Sequence, residues 1–411
     1  MSDDRDVVKK LAAEVAEMAA QPIQQEKREG WKRLNSLQAQ RPMLWITEIP
    51  WGEFEGTMDE LRCVCADDRL RAVESRLRRT LFTARHLPCD EVIDSTWWVP
   101  KVIHGAGYGL SVQEQQLPQG GSYVYSHHYE PVLQDLDDIE KIRMPEVWFD
   151  AEATHEQIRF YTDLLSDSLH VRACGPRQHF FNAWDQLVRW TGVQQALLDL
   201  AVRPDFIHAI MRRMTDSFLA RMTQYEQLNL LDYPHPLNRV GSGAASFTDE
   251  LPQPGYDPEH ITTMDQWGGA TPQIFSEVSP AMHEEFALQY EIQVMERCGL
   301  NYYGCCEPVH AKMHILATVP RLRKISISPW CDVAKAAANA HQAYVFSHKP
   351  SPALLAEERF DAGRAEADIR DRLAQSQGMQ CEFIMKDIST VRGDVERVIA
   401  WCETAYRVLT E

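Results

Sequence analysis

The sequence has no excess of positive charge, no long apolar run and no leader-like start, and each absence narrows the function. Its 42 lysines and arginines face 60 aspartates and glutamates, a formal net charge of −18. A surface that tracks phosphates works by clustered Lys and Arg that release counterions, so nucleic acid and anionic membrane are not expected as partners. No run approaches the roughly 20 apolar residues that a spanning helix needs. Residues 1–28 form a charged amphipathic stretch with Val7, Val8, Leu11, Val15 and Met18, without the apolar centre of a signal peptide. Internal repeats and low-complexity segments are missing as well. These absences predict a cytoplasmic protein, in which the ten cysteines read as reduced thiols, most of them structural.

What is present is a chain of 411 residues, 44% hydrophobic, able to bury a large core. Short β-rich runs alternate with longer helical patterns, the signature of parallel βα units. Strands are predicted at Met43–Ile49, His170–Cys174, Leu237–Val240, Asn301–Cys305, Lys324–Ser328, Ala343–Ser347 and Cys381–Lys386, with a weaker eighth around Ile261–Trp267. Helices at Thr154–Ser166, Gly192–Leu200, Pro204–Leu228, Pro280–Cys298, Pro308–Thr318 and Arg364–Ser376 separate them; Pro204, Pro280 and Pro308 stand where a first-turn proline is tolerated. The predicted fold class is α/β: a (β/α)8 TIM barrel over residues 41–411, preceded by a helical extension over 1–40. A long insertion after the first strand, about 53–165, is expected to cover the barrel mouth.

In such barrels the reacting groups lie at the C-terminal ends of the strands. That rule selects Glu48 and Trp51 after the first strand, Arg177 after the second, Trp267 at the end of the eighth candidate, and Cys305-Cys306-Glu307. It also selects Trp330 with Cys331, His348-Lys349 and Lys386-Asp387. Cys298, Cys381 and Cys402 fall elsewhere and are expected to be structural.

Cys305-Cys306-Glu307 is the sharpest of these features. Thiolate and carboxylate at a strand end, with Pro308 opening a helix, offer metal ligands where a helix dipole lowers a thiol pKa. Zinc in catalytic sites takes three protein ligands and keeps a fourth position open. Cys305, Cys306 and Glu307 are the candidate ligands, and His310, Cys331 or His348 are each placed to complete the set. Adjacent residues of an extended strand point to opposite sides, so both cysteines can ligate only if the chain turns there. Lys349 and Lys386 put two ammonium groups at neighbouring strand ends, where they hold an anionic substrate or neutralise Glu307 and Asp387. Trp51, Trp267 and Trp330 are candidate pocket walls, suited to a planar or quaternary-ammonium substrate.

The run Asp265-Gln266-Trp267-Gly268-Gly269, then Phe275, Ser279-Pro280, Phe286, Gly299 and the strand ending in Cys305-Cys306-Glu307, resembles the uroporphyrinogen decarboxylase superfamily; Cys174-Gly175-Pro176 is similar to its Gly-Pro at an earlier strand end. The resemblance implies the (β/α)8 barrel and an enzyme. The superfamily includes metal-free decarboxylases and zinc-dependent methyltransferases that work with methylcobalamin or thiol acceptors. The decarboxylases grip their substrate with an arginine-rich segment, but the matching stretch here, Glu48 to Phe54, is acidic and holds no arginine. A tetrapyrrole polycarboxylate is therefore disfavoured. The methyltransferases carry His-x-Cys where this chain has Cys305-x-Glu307, and a later Cys where it has Lys386-Asp387.

The leading expectation is therefore a zinc-dependent methyltransferase acting on a small molecule. Cys305, Cys306, Glu307 and His348 would be ligands, Glu307, Asp387, Lys386 and Lys349 catalytic, and Glu48, Trp51, Arg177, Trp267 and Trp330 around the substrate. Its methyl acceptor is a thiol or a corrinoid; no Asp-x-His-x-x-Gly motif occurs, so methylcobalamin would arrive on a separate protein. The alternative is a metal-free decarboxylase or lyase of a small carboxylate, with Arg177, Lys349 and Lys386 gripping it and Asp387 or Glu307 moving the proton. A non-catalytic binding module is the third reading. Relatives by fold often dimerise, so a homodimer is expected by analogy.

Overall fold

The computed structural model describes residues 3–117, 126–232, 239–243, 245–340 and 342–411. Two helices lead the chain, Asp4–Ala19 and Pro22–Asn35. The first is capped by the Asp3 side chain, which accepts the Arg5 N–H; the second opens on Pro22. Strand β1 (Met43–Ile46) follows, then the helix Asp68–His86 and strand β2 (Thr96–Pro100). After the hairpins and helices of the insertion come β3 (His170–Cys174), β4 (Gln178–Phe181), β5 (Trp267–Ala270), β6 (Leu300–Tyr303), β7 (Leu322–Ile327), β8 (Val345–His348) and β9 (Gln380–Met385).

Seven of these strands make one parallel sheet in the order β1-β9-β8-β7-β6-β5-β4. Most of them are buried on both faces, as parallel strands flanked by helices must be. Sequential neighbours from β4 to β9, with β1 returning beside β9, give the winding of a TIM barrel, yet no closed ring of eight forms among the described residues. Three predicted strands differ. His170–Cys174 pairs with β2 in a separate two-stranded sheet, and Gln178–Phe181, unforeseen, takes its place in the main one. Of Leu237–Val240, residues 237 and 238 lie outside the described residues, and Arg239 makes only an isolated bridge to Ala245. The eighth candidate is shifted: Thr262 and Asp265 cap each other around a short 3-10 turn, so the strand begins at Trp267 instead of ending there.

Alternation along the strands sorts the two faces. Tyr302, Lys324, Ser326, Ser347 and Glu382 are all fully buried and share one face, joined by hydrogen bonds. Lys324 Nζ meets Glu382 Oε2 at 2.7 Å, and Ser347 Oγ donates to Glu382 Oε1 at 2.6 Å. Tyr303 and His348 point the other way, toward the helices, where the main apolar core lies. A second cluster joins the first helix (Val8, Leu11, Val15) to the insertion (Val73, Leu77, Leu81, Trp97, Leu164). The first helix thus packs on the insertion, while Trp31 and Leu34 of the second pack with Met43, Trp45, Val345 and Ile384 of the main sheet.

Candidate active site

Strand β6 stops at Tyr303, and Gly304 takes φ +91°, a backbone that a side chain would strain. The chain turns there, so the two cysteines that follow are brought to one side. Cys305 Sγ and Cys306 Sγ lie 3.5 Å apart. The turn is pinned on both flanks: Ser326 Oγ donates to the Cys305 carbonyl at 2.7 Å, and the Cys305 N–H donates to Glu307 Oε2 at 3.0 Å. The helix expected from Pro308 does not form; a single helical turn begins only at Met313. The thiol pKa is thus not set by a helix dipole.

It is set by neighbours. The hydrogen bond from Cys306, and after it the ammonium groups of Lys386 and Lys349, hold the Cys305 thiol down to about 6 against the opposing effect of burial. Cys306, the donor, is pushed well above its ordinary value. Glu307 is fully buried, and burial lifts its carboxyl to about 7 although Thr271 Oγ1 donates to both oxygens at 3.0 and 3.2 Å. Lys349 is brought down to about 7 by burial. Its Nζ donates to Tyr302 OH (3.0 Å), the Ser347 carbonyl (2.9 Å) and Ser347 Oγ (2.6 Å). Three groups that titrate near neutrality therefore surround one turn.

A second set of charges forms the rim. Lys386 Nζ lies 2.5 Å from Asp387 Oδ2 and 3.7 Å from Glu48 Oε2; despite burial, the anions Cys305, Asp387 and Glu48 raise its pKa. Glu48 Oε1 accepts from Arg239 at 2.7 Å. Burial works against ionisation of Glu48, but Arg239, Asp387 and Lys386 together bring its carboxyl down to about 2. Beside this rim a cavity of about 600 Å³ opens between β1 and the helix Asp68–His86, lined by Glu48, Ile49, Trp51, Arg76, Arg79 and Glu91 among others.

The strand-end rule thus gathers Glu48, Cys305, Cys306, Glu307, Lys349, Lys386 and Asp387. Trp51 is half-buried against Phe54 and Phe82 with Arg79 over its ring, and lines the cavity. Arg177 is half-buried beside Arg76. The other candidates are not brought to the centre. Trp267 opens its strand, is fully buried, and donates its indole N–H to the Ser246 carbonyl. Trp330 is 75% exposed, so it walls no pocket. His348 faces away from the cysteines because it alternates with inward Ser347: its Nε2 meets Ser376 Oγ at 2.9 Å and its ring stacks on Phe383. Cys331 is buried in the main core. Sequence reasoning missed Thr271, Tyr302 and Arg239 and gave no role to Ser242, whose Oγ reaches Tyr302 OH at 2.9 Å and the Gly304 carbonyl at 3.2 Å. The Gly241-Ser242-Gly243 run was the available signal, since a Cβ on Gly243 would come to 2.6 Å of the Tyr302 ring.

The fold has a solved counterpart. It is shared with a methyltransferase from Methanosarcina mazei, at a TM-score of 0.52 over 92% of this chain and 98% of that one. With 10% identity, the likeness is one of fold. No family model matches the sequence, and no curated protein matches it.

The residues around Cys305 do not fit the zinc ion that the superfamily resemblance implies. His348 is turned away, the Glu307 oxygens are taken by Thr271 and the Cys305 N–H, and the groups nearest the thiolate in charge are lysines. Among the described residues no three His, Cys, Asp or Glu side chains converge to hold a metal. Two thiols alone fall short of a catalytic zinc set.

Proposed function

We propose that the chain is a small-molecule methyl-transfer enzyme whose reacting group is the Cys305 thiolate. The observation that carries this reading is the pairing of Cys305 Sγ with Cys306 Sγ at 3.5 Å, a hydrogen bond that, with the ammonium groups of Lys386 and Lys349 behind it, brings the Cys305 thiol down to about 6. At neutral pH the sulfur is ionised, and the thiolate is the nucleophile. In the first step it attacks the methyl carbon of a donor CH3–X: the S–C bond forms, the C–X bond breaks, and the electron pair leaves on X. Where X leaves as a phenoxide or alkoxide, Glu307, protonated in part at neutral pH, supplies its proton; an amine or sulfide leaves neutral and needs none. In the second step an acceptor nucleophile, a thiol or a corrinoid on a separate protein, attacks the same methyl carbon and the pair returns to sulfur. A thiolate of low pKa is the better leaving group, so the Cys306 hydrogen bond and the lysines that favour the Cys305 thiolate also assist its release. The M. mazei methyltransferase lends the reading its fold.

The test is a methyl mark on the protein. Incubation without acceptor, against an aryl methyl ether, a trimethylammonium compound and a methylsulfonium compound, is expected to add one CH2 to the Cys305 peptide with one of them. Full donor turnover by Cys305→Ala would sink the reading.

Lys349 favours a second reading, a metal-free carboxy-lyase. An amine brought down to about 7 is free to condense with a ketone. The iminium so formed is the electron sink that loss of CO2 from a β-keto acid requires. Borohydride trapping of a keto acid on Lys349, with CO2 release that survives Cys305→Ala, would place the chemistry there.

A further inference from the structure

The cavity beside β1 contains a cation that nothing in the site explains. Arg76 lines it, exposed to the cavity but crowded enough that burial lowers its pKa, which a carboxylate partner would have raised. Among the described residues it has no ion-pair partner. The Arg177 guanidinium lowers its pKa further. The guanidinium is held in place by stacking over Trp97, 4.1 Å from the ring centroid. A stacked guanidinium keeps its in-plane N–H fork free, and that fork matches a planar carboxylate in bidentate geometry. The other cation on the wall, Arg79, is already satisfied by Glu55 at 2.6 Å.

We infer that this cavity holds the carboxylate of an aromatic monoanion, with Arg76 as its anchor. The rest of the wall fits such a body: Trp45, Ile49 and Trp51 supply apolar surface, and about 600 Å³ is within the range of small-ligand sites. Burial pushes the Glu91 carboxyl up to about 7, so its opposing charge is only partial at neutral pH. One unpaired guanidinium matches one negative charge, which favours a carboxylate over a phosphate dianion. Glu48 lines the cavity and also contacts Lys386 on the rim, so a ligand anchored at Arg76 extends toward Cys305. The carboxylate is then a handle and not the reacting group. In that last respect the inference rests on the methyl-transfer reading; the anchoring itself does not.

Binding is measured on the full chain by titration calorimetry and by tryptophan fluorescence, with phenylacetate, phenethyl alcohol and phenyl phosphate as probes. Phenylacetate is expected to bind at least roughly tenfold more tightly than the alcohol, the scale of a charged hydrogen-bonded contact. Arg76→Gln should remove that difference with alcohol binding and melting temperature unchanged, and Arg76→Lys should restore part of it. Equal binding of acid and alcohol, or an Arg76→Gln variant that keeps the difference, overturns the inference; tighter binding of phenyl phosphate overturns the carboxylate assignment. Cys305→Ser separates the two proposals: it is expected to keep phenylacetate affinity, so loss of the methyl mark and loss of anion binding are independent failures.

Discussion

Glu48 Oε2 accepts the backbone N–H of Asp387 at 3.0 Å, and both residues lie in left-handed backbone, φ 54° and 57°. Such conformations cost on the order of 1 kcal/mol each in non-glycine residues and persist where surroundings impose them. Here the surroundings are the charges themselves: Glu48 ties the end of β1 to Arg239 and to the end of β9. Because its carboxyl falls from 4.5 to about 2 on folding, its stabilisation is present above 4.5 and is lost as pH drops toward 2. The side chain is 38% exposed, so solvent screening reduces the effect to about 1 kcal/mol. Glu48→Gln is expected to lower the melting temperature at pH 6 and to lose that deficit near pH 2. An unchanged difference between the two proteins across this range would show that Glu48 carries no ionic role.

Cys305 should report its own environment. Alkylation by iodoacetamide, followed on the Cys305 peptide, is expected to rise with a midpoint near the thiol value of about 6, while Cys306 stays unreactive over the neutral range. Lys386→Met removes a cation that favours the thiolate, so the midpoint should move upward by about one unit. A wild-type midpoint at the ordinary value of a free cysteine would mean that the turn after Gly304 does not hold the two sulfurs together.

The parts of this centre legible in the sequence are those governed by backbone position. The rule that reacting groups stand at strand ends finds Glu48, Cys305, Glu307, Lys349 and Lys386 without any contact being known. It fails where a strand boundary is misplaced. Trp267 looks like a strand end because the residues before it read as extended; the mutual cap of Thr262 and Asp265 instead turns Thr263–Asp265 into a 3-10 segment. His348 fails for a different reason. Its position along the chain is right, but which of two consecutive residues faces inward depends on register, and Ser347 faces inward. Arg76 was invisible because a helix in the insertion reads as a solvated face until the cavity beside β1 is seen.

That register makes His348 a discriminating position. A zinc ligand and a packed histidine answer differently to substitution. His348→Ala should destabilise the fold by about 2 kcal/mol, through the lost ring contact with Phe383, the cavity left behind and the lost hydrogen bond to Ser376. It should leave the Cys305 alkylation midpoint unchanged, and prior treatment with a chelator should leave it unchanged too. A midpoint that shifts with both, together with stoichiometric zinc by elemental analysis, would restore the metal centre.

Glu307 links the stability of the site to its chemistry. Its carboxyl rises from 4.5 in an unfolded chain to about 7 in the fold because burial disfavours the charge. The sign follows: folding is favoured most below 4.5, where both forms are protonated, and stability is lost as pH rises toward 7. Glu307→Gln keeps an acceptor for Thr271 and the Cys305 N–H but never ionises, so the variant should be more stable than the parent at pH 8, by on the order of 2 kcal/mol, with the difference gone by pH 4. The same substitution removes the proton that methyl transfer gives to a phenoxide or alkoxide leaving group. Turnover of such a donor should therefore fall by about two orders of magnitude while the protein melts higher. A variant that melts lower at pH 8 would show that Glu307 is stabilised as a carboxylate, and that the proton comes from elsewhere.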